Sequence, residues 1–245
     1  MSLPEEALQQ APATPAGQGI IRQYVNFIFY QFEPGWHSLE KKLKAEACEE
    51  FLEAAEKFRK DVILKTYSTH GIRADIDFFF WRIAENLEVF EQMSSELSKT
   101  MLGQHLRTRL SLLSMTKRSM YIDKHLHPGQ EGSRTKIVPG GAKYLFIYPF
   151  VKTRPWYLLP REERQKMMDE HIRIGHKYPS VKLNTTYSFG LDDQEFVLAF
   201  ETDKPSDFLD LVMELRETEA SRYTLRDTPI FTCIQKPLDL VLNGL

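Results

Sequence analysis

Two residues in the C-terminal half could share redox chemistry. Tyr157 follows Trp156 just before a helical segment, and His171 lies 14 residues further on, within that segment. On a helix the neighbours of His171 at i−4, i−3 and i+3 are Met167, Met168 and Ile174, with Gly175 one turn later. An imidazole in such an apolar surround could be held neutral against a metal, and the glycine would leave room for a flat macrocycle to approach. A phenol close to an oxidising metal can become a radical. A phenol and an imidazole on one helix unit are the parts a haem site needs. The same residues admit a plainer reading: a core histidine satisfied by a backbone carbonyl, and a packed tyrosine with its hydroxyl hydrogen-bonded.

The other candidates carry less. His176 stands beside Lys177 near the end of the same helix, where the negative end of the dipole suits a cation, so it reads as surface. His125 and His127 form an HxH pair without an evident third ligand and read as loop residues. His37, His70 and His105 have no context that singles them out. The 2 cysteines, Cys48 and Cys233, are far apart and lack CxxC spacing, which excludes a disulfide framework or a zinc knuckle and points to a reducing cytoplasm.

Elements able to position these residues require a sizeable core, and the 42% apolar and 12% aromatic content of the 245 residues supplies one. The formal charge of −2 and the absence of a basic block exclude a nucleic-acid surface. No run of about 18 apolar residues exists to span a membrane, and the N-terminus lacks the cationic start and apolar stretch of a signal peptide.

Residues 1–19, rich in Pro, Ala, Gln and Gly, read as a flexible arm. Then strand and helix patterns alternate. Ile21–Phe32 reads as a strand, Leu39–Lys60 as a helix, Val62–Ser68 and Ala74–Arg82 as strands, Glu85–Leu97 as a helix and Leu110–Ile122 as a strand. Residues 123–142 are punctuated by Pro and Gly and read as a linker. The same order then recurs. Lys143–Val151 is a strand, Pro160–Lys177 a helix opening with Pro and acids, Val181–Ser188 and Gln194–Glu201 a strand pair, Pro205–Glu217 a helix and Pro229–Ile234 a closing strand. Two βαββαβ units, 20–122 and 143–245, are two ferredoxin-like domains of an α+β fold. Each leaves one sheet face bare. Burying the bare faces against each other gives a dimeric α+β barrel within one subunit, helices outside, with a wide apolar slot between wall and helix.

Beyond this pattern the chain resembles the chlorite dismutase-like superfamily, and within it the peroxide-dependent coproheme decarboxylases. The resemblance rests on Tyr148-Pro149, WYLLPREER (Trp156 to Arg164), DEHIRIGHKY (Asp169 to Tyr178), SFGLDD (Ser188 to Asp193) and MELRETEASRY (Met213 to Tyr223). In the N-terminal half only length and element order agree. The resemblance implies that His171 is the proximal ligand of a haem iron and that Tyr157 is the residue oxidised to a radical. It implies that Ser221, Arg161, Lys152 and Arg154 lie near porphyrin propionates. The family's distal position, seven before Gly190, holds Leu183, where chlorite dismutases have arginine and decarboxylases glutamine; a loop one residue shorter than usual offers Asn184 as the alternative occupant. Ala220 stands where chlorite dismutases place a glutamate on the proximal histidine, which implies a weaker iron bond.

The function so implied is oxidative decarboxylation of iron coproporphyrin III (coproheme) to haem b. Its partners would be coproheme, hydrogen peroxide, four further copies of the chain in a ring of five, and a ferrochelatase. Leu183 motivates a second reading, a haem-binding member or weak peroxidase without decarboxylase activity. A third is a cofactor-free interaction protein on the same scaffold, since fold does not fix function.

Overall fold

The computed structural model describes residues 22–119, 121 and 136–244. The arm at 1–19 and the part of the linker that carries His125 and His127 lie outside the described residues. The elements run β1 (Tyr24–Phe32), α1 (Pro34–His37), α2 (Lys41–Glu56), β2 (Ile63–Ser68), β3 (Phe78–Ala84), α3 (Glu88–Lys99), α4 (Met101–Gln104) and β4 (Leu106–Met115). After the linker come β5 (Tyr144–Lys152), α5 (Arg154–Leu158), α6 (Arg161–Gly175), β6 (Lys182–Tyr187), β7 (Phe196–Thr202), α7 (Pro205–Arg216), a 3-10 turn (Glu219–Tyr223), β8 (Thr224–Arg226), β9 (Phe231–Gln235) and α8 (Leu238–Leu242).

The fold is α+β with an antiparallel sheet. Its strand order is β7-β6-β4-β1-β3-β2-β9-β5-β8, and β5 also pairs with β7. That last pairing closes eight of the strands into a ring. Within each half the order is fourth, first, third, second, and the halves join edge to edge through β4–β6 and β2–β9. The two joins are short, Met115 with Tyr187 and Tyr67–Ser68 with Ile234–Gln235, so the halves meet at their strand ends.

Period-two alternation sends side chains to the inside and outside of this ring. The inside is filled by Val25, Phe27 and Phe29 of β1, Phe79 and Trp81 of β3, Leu145 and Ile147 of β5, Val197 and Ala199 of β7, and Phe231 and Cys233 of β9. The outside of the N-terminal half is covered by α2, α3 and α8, so both faces of β3, FFFWRIA, are buried. That double cover explains a run without polar alternation.

Some boundaries differ from the sequence pattern. β4 begins at Leu106 and ends at Met115, not at Leu110 and Ile122. Its first half, LRTR, is largely exposed and carries no apolar signal; pairing with β1 across a bulge at Phe29/Tyr30 makes it a strand. β3 begins at Phe78, because Asp77 instead accepts the Phe32 N–H at 2.9 Å. The short elements α1, α4, α5, β8 and α8 have too few residues to show a period.

Candidate functional site

The outer faces of the two halves are unequally filled. On the N-terminal half twenty buried residues form the cluster between sheet and helices; on the C-terminal half only six do: Phe146, Tyr148, Ile174, Phe200, Phe208 and Leu211. Leu183, Leu198 and Phe150 on the same sheet face are only partly covered. The shortfall is on the side of α6. Fifteen residues long, α6 buries Ile174 alone, whereas α2 buries five residues and α3 four. A helix that stands off an apolar sheet face leaves a slot, and a flat apolar group is what such a slot fits.

His171 sits on the slot side of α6. Met167 and Met168 beside it are half-covered, and an ideal Cβ built on Gly175 meets nothing within 4 Å. The residue as a whole is partly accessible, yet its Nδ1 is buried with no hydrogen-bond partner. Trp36, Tyr67 and Trp81 also bury a polar atom without a partner, but each is a large ring packed in a filled core. Burial, and secondarily the charge of Lys152, push the His171 pKa down to about 4, so the ring is a neutral donor at physiological pH. The plainer reading, a core histidine satisfied by a carbonyl, does not describe it.

Lys152 ends β5 and is buried. Its Nζ donates to the carbonyl of Ala220 at 2.8 Å and lies 4.3 Å from the centre of the Trp156 ring. Burial pushes its pKa down to about 8 against the opposing charge of Glu195. It is not the solvated strand-end cation that its position suggests. Trp156 and Tyr157 belong to α5, which is separated from α6 by Leu159 and Pro160; the Thr153 N–H, donating to the Tyr223 carbonyl at 2.8 Å, fixes where α5 starts. Trp156 is buried, 5.5 Å from Tyr223 and 6.4 Å from Tyr121 by ring centres. Tyr157 is half-buried, edge-on to Phe189 at 5.8 Å, and its hydroxyl donates to Glu195. Burial and that bond push the Tyr157 pKa well up.

The loop after β6 is tied to the other half of the protein. The Leu113 N–H donates to Asp192 at 2.7 Å and the Ser188 hydroxyl to the Leu113 carbonyl at 2.7 Å, with Gly190 at φ 73° making the turn between them. β6 places Leu183 and Asn184 on opposite faces of the sheet. Leu183 pairs with Phe200 and packs with it on the slot face. Asn184 pairs with Ala199, an inner-face residue, and donates to Glu201 at 2.8 Å. Asn184 therefore does not reach the slot, contrary to the alternative that loop length offers.

Arg154 and Arg161 are exposed at the starts of α5 and α6. The Ser221 hydroxyl contacts two carbonyls, of Thr218 at 2.7 Å and Arg216 at 2.8 Å, which engage its single proton. His176 is exposed, as its place at the helix end implies. Two residues escape sequence reasoning. Glu195 reads there only as the start of a strand. Arg164, two turns before His171 on the same helix face, buries its Nε without a partner; its spacing from His171 was the available signal.

Among the described residues no cluster of three or more His, Cys, Asp or Glu exists to hold a bare ion. One neutral imidazole beside an apolar slot fits a metal that brings its own equatorial ligands, as a metalloporphyrin does. Fold and site thus define an α+β protein with a neutral imidazole beside a partly covered apolar sheet face. The chain matches the family model described as chlorite dismutase over residues 44–236 and belongs to that family of haem-binding proteins. Coproheme decarboxylase of Mycolicibacterium smegmatis (strain ATCC 700084 / mc(2)155) is 32% identical over 212 residues, 86% of this chain and 88% of that protein. A mutant chlorite dismutase from Candidatus Nitrospira defluvii superposes with a TM-score of 0.83 at 26% identity, covering 91% of this chain and 94% of that one. Chlorite dismutase of the same organism in complex with imidazole gives 0.82 at 26% identity over the same shares, 91% and 94%. No helix among the described residues is long and apolar enough to cross a membrane.

Proposed function

We propose that the protein takes coproheme as substrate and, with hydrogen peroxide, decarboxylates it oxidatively to haem b through a radical on Tyr157. One observation carries the reading: the half with the unfilled outer face also holds a neutral imidazole whose Nδ1 is buried and unpartnered. The M. smegmatis relative supports the choice of reaction.

His171 would hold the iron, Gly175 would leave room for the ring, and Leu183 would form part of the facing wall. Arg154 and Arg161, with Arg164, whose Nε is buried without a partner, are the cations that would meet propionates. Lys152 and Ser221 already have other engagements, so Lys152 acts on His171 rather than on a propionate. When bound, the iron porphyrin supplies the redox chemistry, drawing electrons from the phenol once peroxide has oxidised it. Each reacting propionate loses CO₂, a proton and two electrons to become a vinyl group, and one peroxide accepts two electrons and two protons, that one and one from solvent, to become two waters.

The two βαββαβ halves are, in this reading, ferredoxin-like units of one dimeric α+β barrel. Exposed Leu158, Leu209, Met213 and Leu225 support assembly into a homo-oligomer, five subunits by the resemblance, with a ferrochelatase as further partner. Cys48 and Cys233 are buried and unpaired, which suits a reducing cytoplasm.

Leu183 favours a second reading, haem binding without decarboxylation, because a leucine on the slot face cannot polarise a peroxide O–O bond. The two are separated by anaerobic peroxide titration of the coproheme-loaded protein, followed by porphyrin mass spectrometry. Stepwise loss of two CO₂, absent in Tyr157→Phe, is expected. Bleaching without mass loss would leave the second reading standing instead.

A further inference from the structure

The Tyr157 phenol rests against a carboxylate that is itself held in place. Its O–H donates to Oε2 of Glu195, and the same oxygen accepts the backbone N–H of Lys152 at 2.8 Å. Glu195 immediately precedes β7 and is half-buried. Its N–H donates to the Phe150 carbonyl at 3.2 Å and its own carbonyl accepts the Ser188 N–H at 2.8 Å. Anchored through backbone on both sides and through its side chain to β5, it is not a swinging surface acid.

A buried phenol cannot lose an electron alone without leaving a charged radical cation in a poorly solvated place, and it cannot readily become phenolate there either. Losing electron and proton together leaves a neutral radical, provided a base is already in contact with the hydroxyl. We propose that Glu195 is the positioning residue of the oxidation step: it orients Tyr157 and takes its phenolic proton as the electron leaves. The proposal rests on the decarboxylase reading above. In the step, the Tyr157 O–H bond breaks, the proton passes to the Glu195 carboxylate, and one electron passes to the peroxide-oxidised iron porphyrin. The products on the chain are a neutral phenoxyl radical and a carboxylic acid. In the return step the radical regains one electron from the propionate and the proton from Glu195, restoring phenol and carboxylate. The propionate gives its second electron to the porphyrin, which peroxide has oxidised by two electrons, and its proton to solvent as CO₂ leaves.

The charged and titratable groups around the pair come from every neighbouring element. Arg154 on α5 and the phenol of Tyr121 act on Tyr157. The Glu195 charge acts on Lys152 of β5, whose ammonium is bonded to the Ala220 carbonyl. The loop that brings Phe189 against Tyr157 carries Asp192, whose carboxylate is engaged by Leu113 and Gln194. Among these, Glu195 is the group in hydrogen-bond contact with the hydroxyl.

E195Q keeps an oxygen for both hydrogen bonds and loses the basicity; E195D keeps a carboxylate. With coproheme bound equally well, E195Q should lose CO₂ on the order of 100-fold more slowly near neutral pH, with a rate that climbs toward alkaline pH as solvent takes over the proton. E195D should keep the wild-type pH profile. In the apoprotein, phenolate formation at Tyr157, read as the near-ultraviolet difference between each protein and its Y157F counterpart, should move to lower pH in E195Q. A wild-type rate and profile in E195Q with an unmoved Tyr157 titration would overturn the proposal, as would loss of the wild-type profile in folded E195D. If the wild type itself releases no CO₂, the decarboxylase reading fails separately. Glu195 is then decided by the apoprotein titration together with the Tyr157 radical trapped by freezing after peroxide: its loss in E195Q supports the assignment and its persistence overturns it.

Discussion

The Lys152 ammonium, bonded to the Ala220 carbonyl at 2.8 Å, acts together with burial to keep the His171 imidazole neutral. A proximal histidine is usually tuned by an acceptor on its second nitrogen. Here Nδ1 has none, and a buried cation stands nearby instead. The cation disfavours imidazolium without making the ring a stronger donor. In the proposed role, a ligand so arranged would be available near neutral pH yet would bind iron modestly, as release of a product haem requires.

This arrangement makes the apoprotein acid-sensitive in a defined window. The His171 pKa is near 6.5 when unfolded and about 4 when folded, so the unfolded chain binds the extra proton first. Stability from this group is therefore intact above pH 6.5 and falls as pH drops toward 4, by roughly 3 kcal/mol in all. Urea denaturation of the apoprotein at pH 7 and pH 4 should show wild type losing about that much more than His171→Gln. Parallel losses would show that the imidazole is not held neutral by the fold.

Gly175 separates folding from binding. It ends α6, and a Cβ there meets nothing within 4 Å. Gly175→Ala should leave apoprotein stability unchanged or raise it by up to about 1 kcal/mol through helix propensity. Gly175→Phe should fold as well and yet give no Soret band on titration with coproheme, because the ring fills the slot. Full binding by Gly175→Phe would place the porphyrin elsewhere.

Leu183 and Asn184 are neighbours in sequence with opposite roles. Asn184→Ala removes a bond to Glu201, which is 1% exposed, and should cost about 1–3 kcal/mol while leaving the haem spectrum unchanged. Leu183→Gln should change stability little and speed the reaction of the loaded protein with peroxide by about 10- to 100-fold. Stopped-flow spectra and urea melts of the two variants check this, and exchanged phenotypes would mean that the register of β6 against β7 is wrong.

Much of this was legible in the chain, and the exceptions have physical causes. The repeated βαββαβ order showed because β1 is rich in β-branched and aromatic residues and α2 carries apolar residues at helical spacing, and His171 showed because helical spacing surrounds it with methionines. Which face of β6 meets the slot did not show, because the more polar face, with Asn184 and Thr186, is the one turned into the ring against the usual rule, and only pairing with β7 decides it. Glu195 was invisible because its role depends on Tyr157, 38 residues away in sequence. Lys152 reads as solvated because nothing local predicts that the Ala220 carbonyl and the Trp156 ring will cover it.

Ser221 is the site residue whose assignment the geometry presses hardest. A serine hydroxyl has one proton, and a carboxylate can only accept. That proton is engaged between the carbonyls of Thr218 and Arg216, the last residue of α7, so the hydroxyl closes a helix end. Ser221→Ala should lower apoprotein stability by about 1 kcal/mol and shift the coproheme dissociation constant by no more than a few-fold. Urea denaturation and a Soret titration on the same preparation measure both. A tenfold loss of affinity with unchanged stability would instead put the hydroxyl on a propionate, and would require the proton to leave the Thr218 carbonyl when the substrate binds.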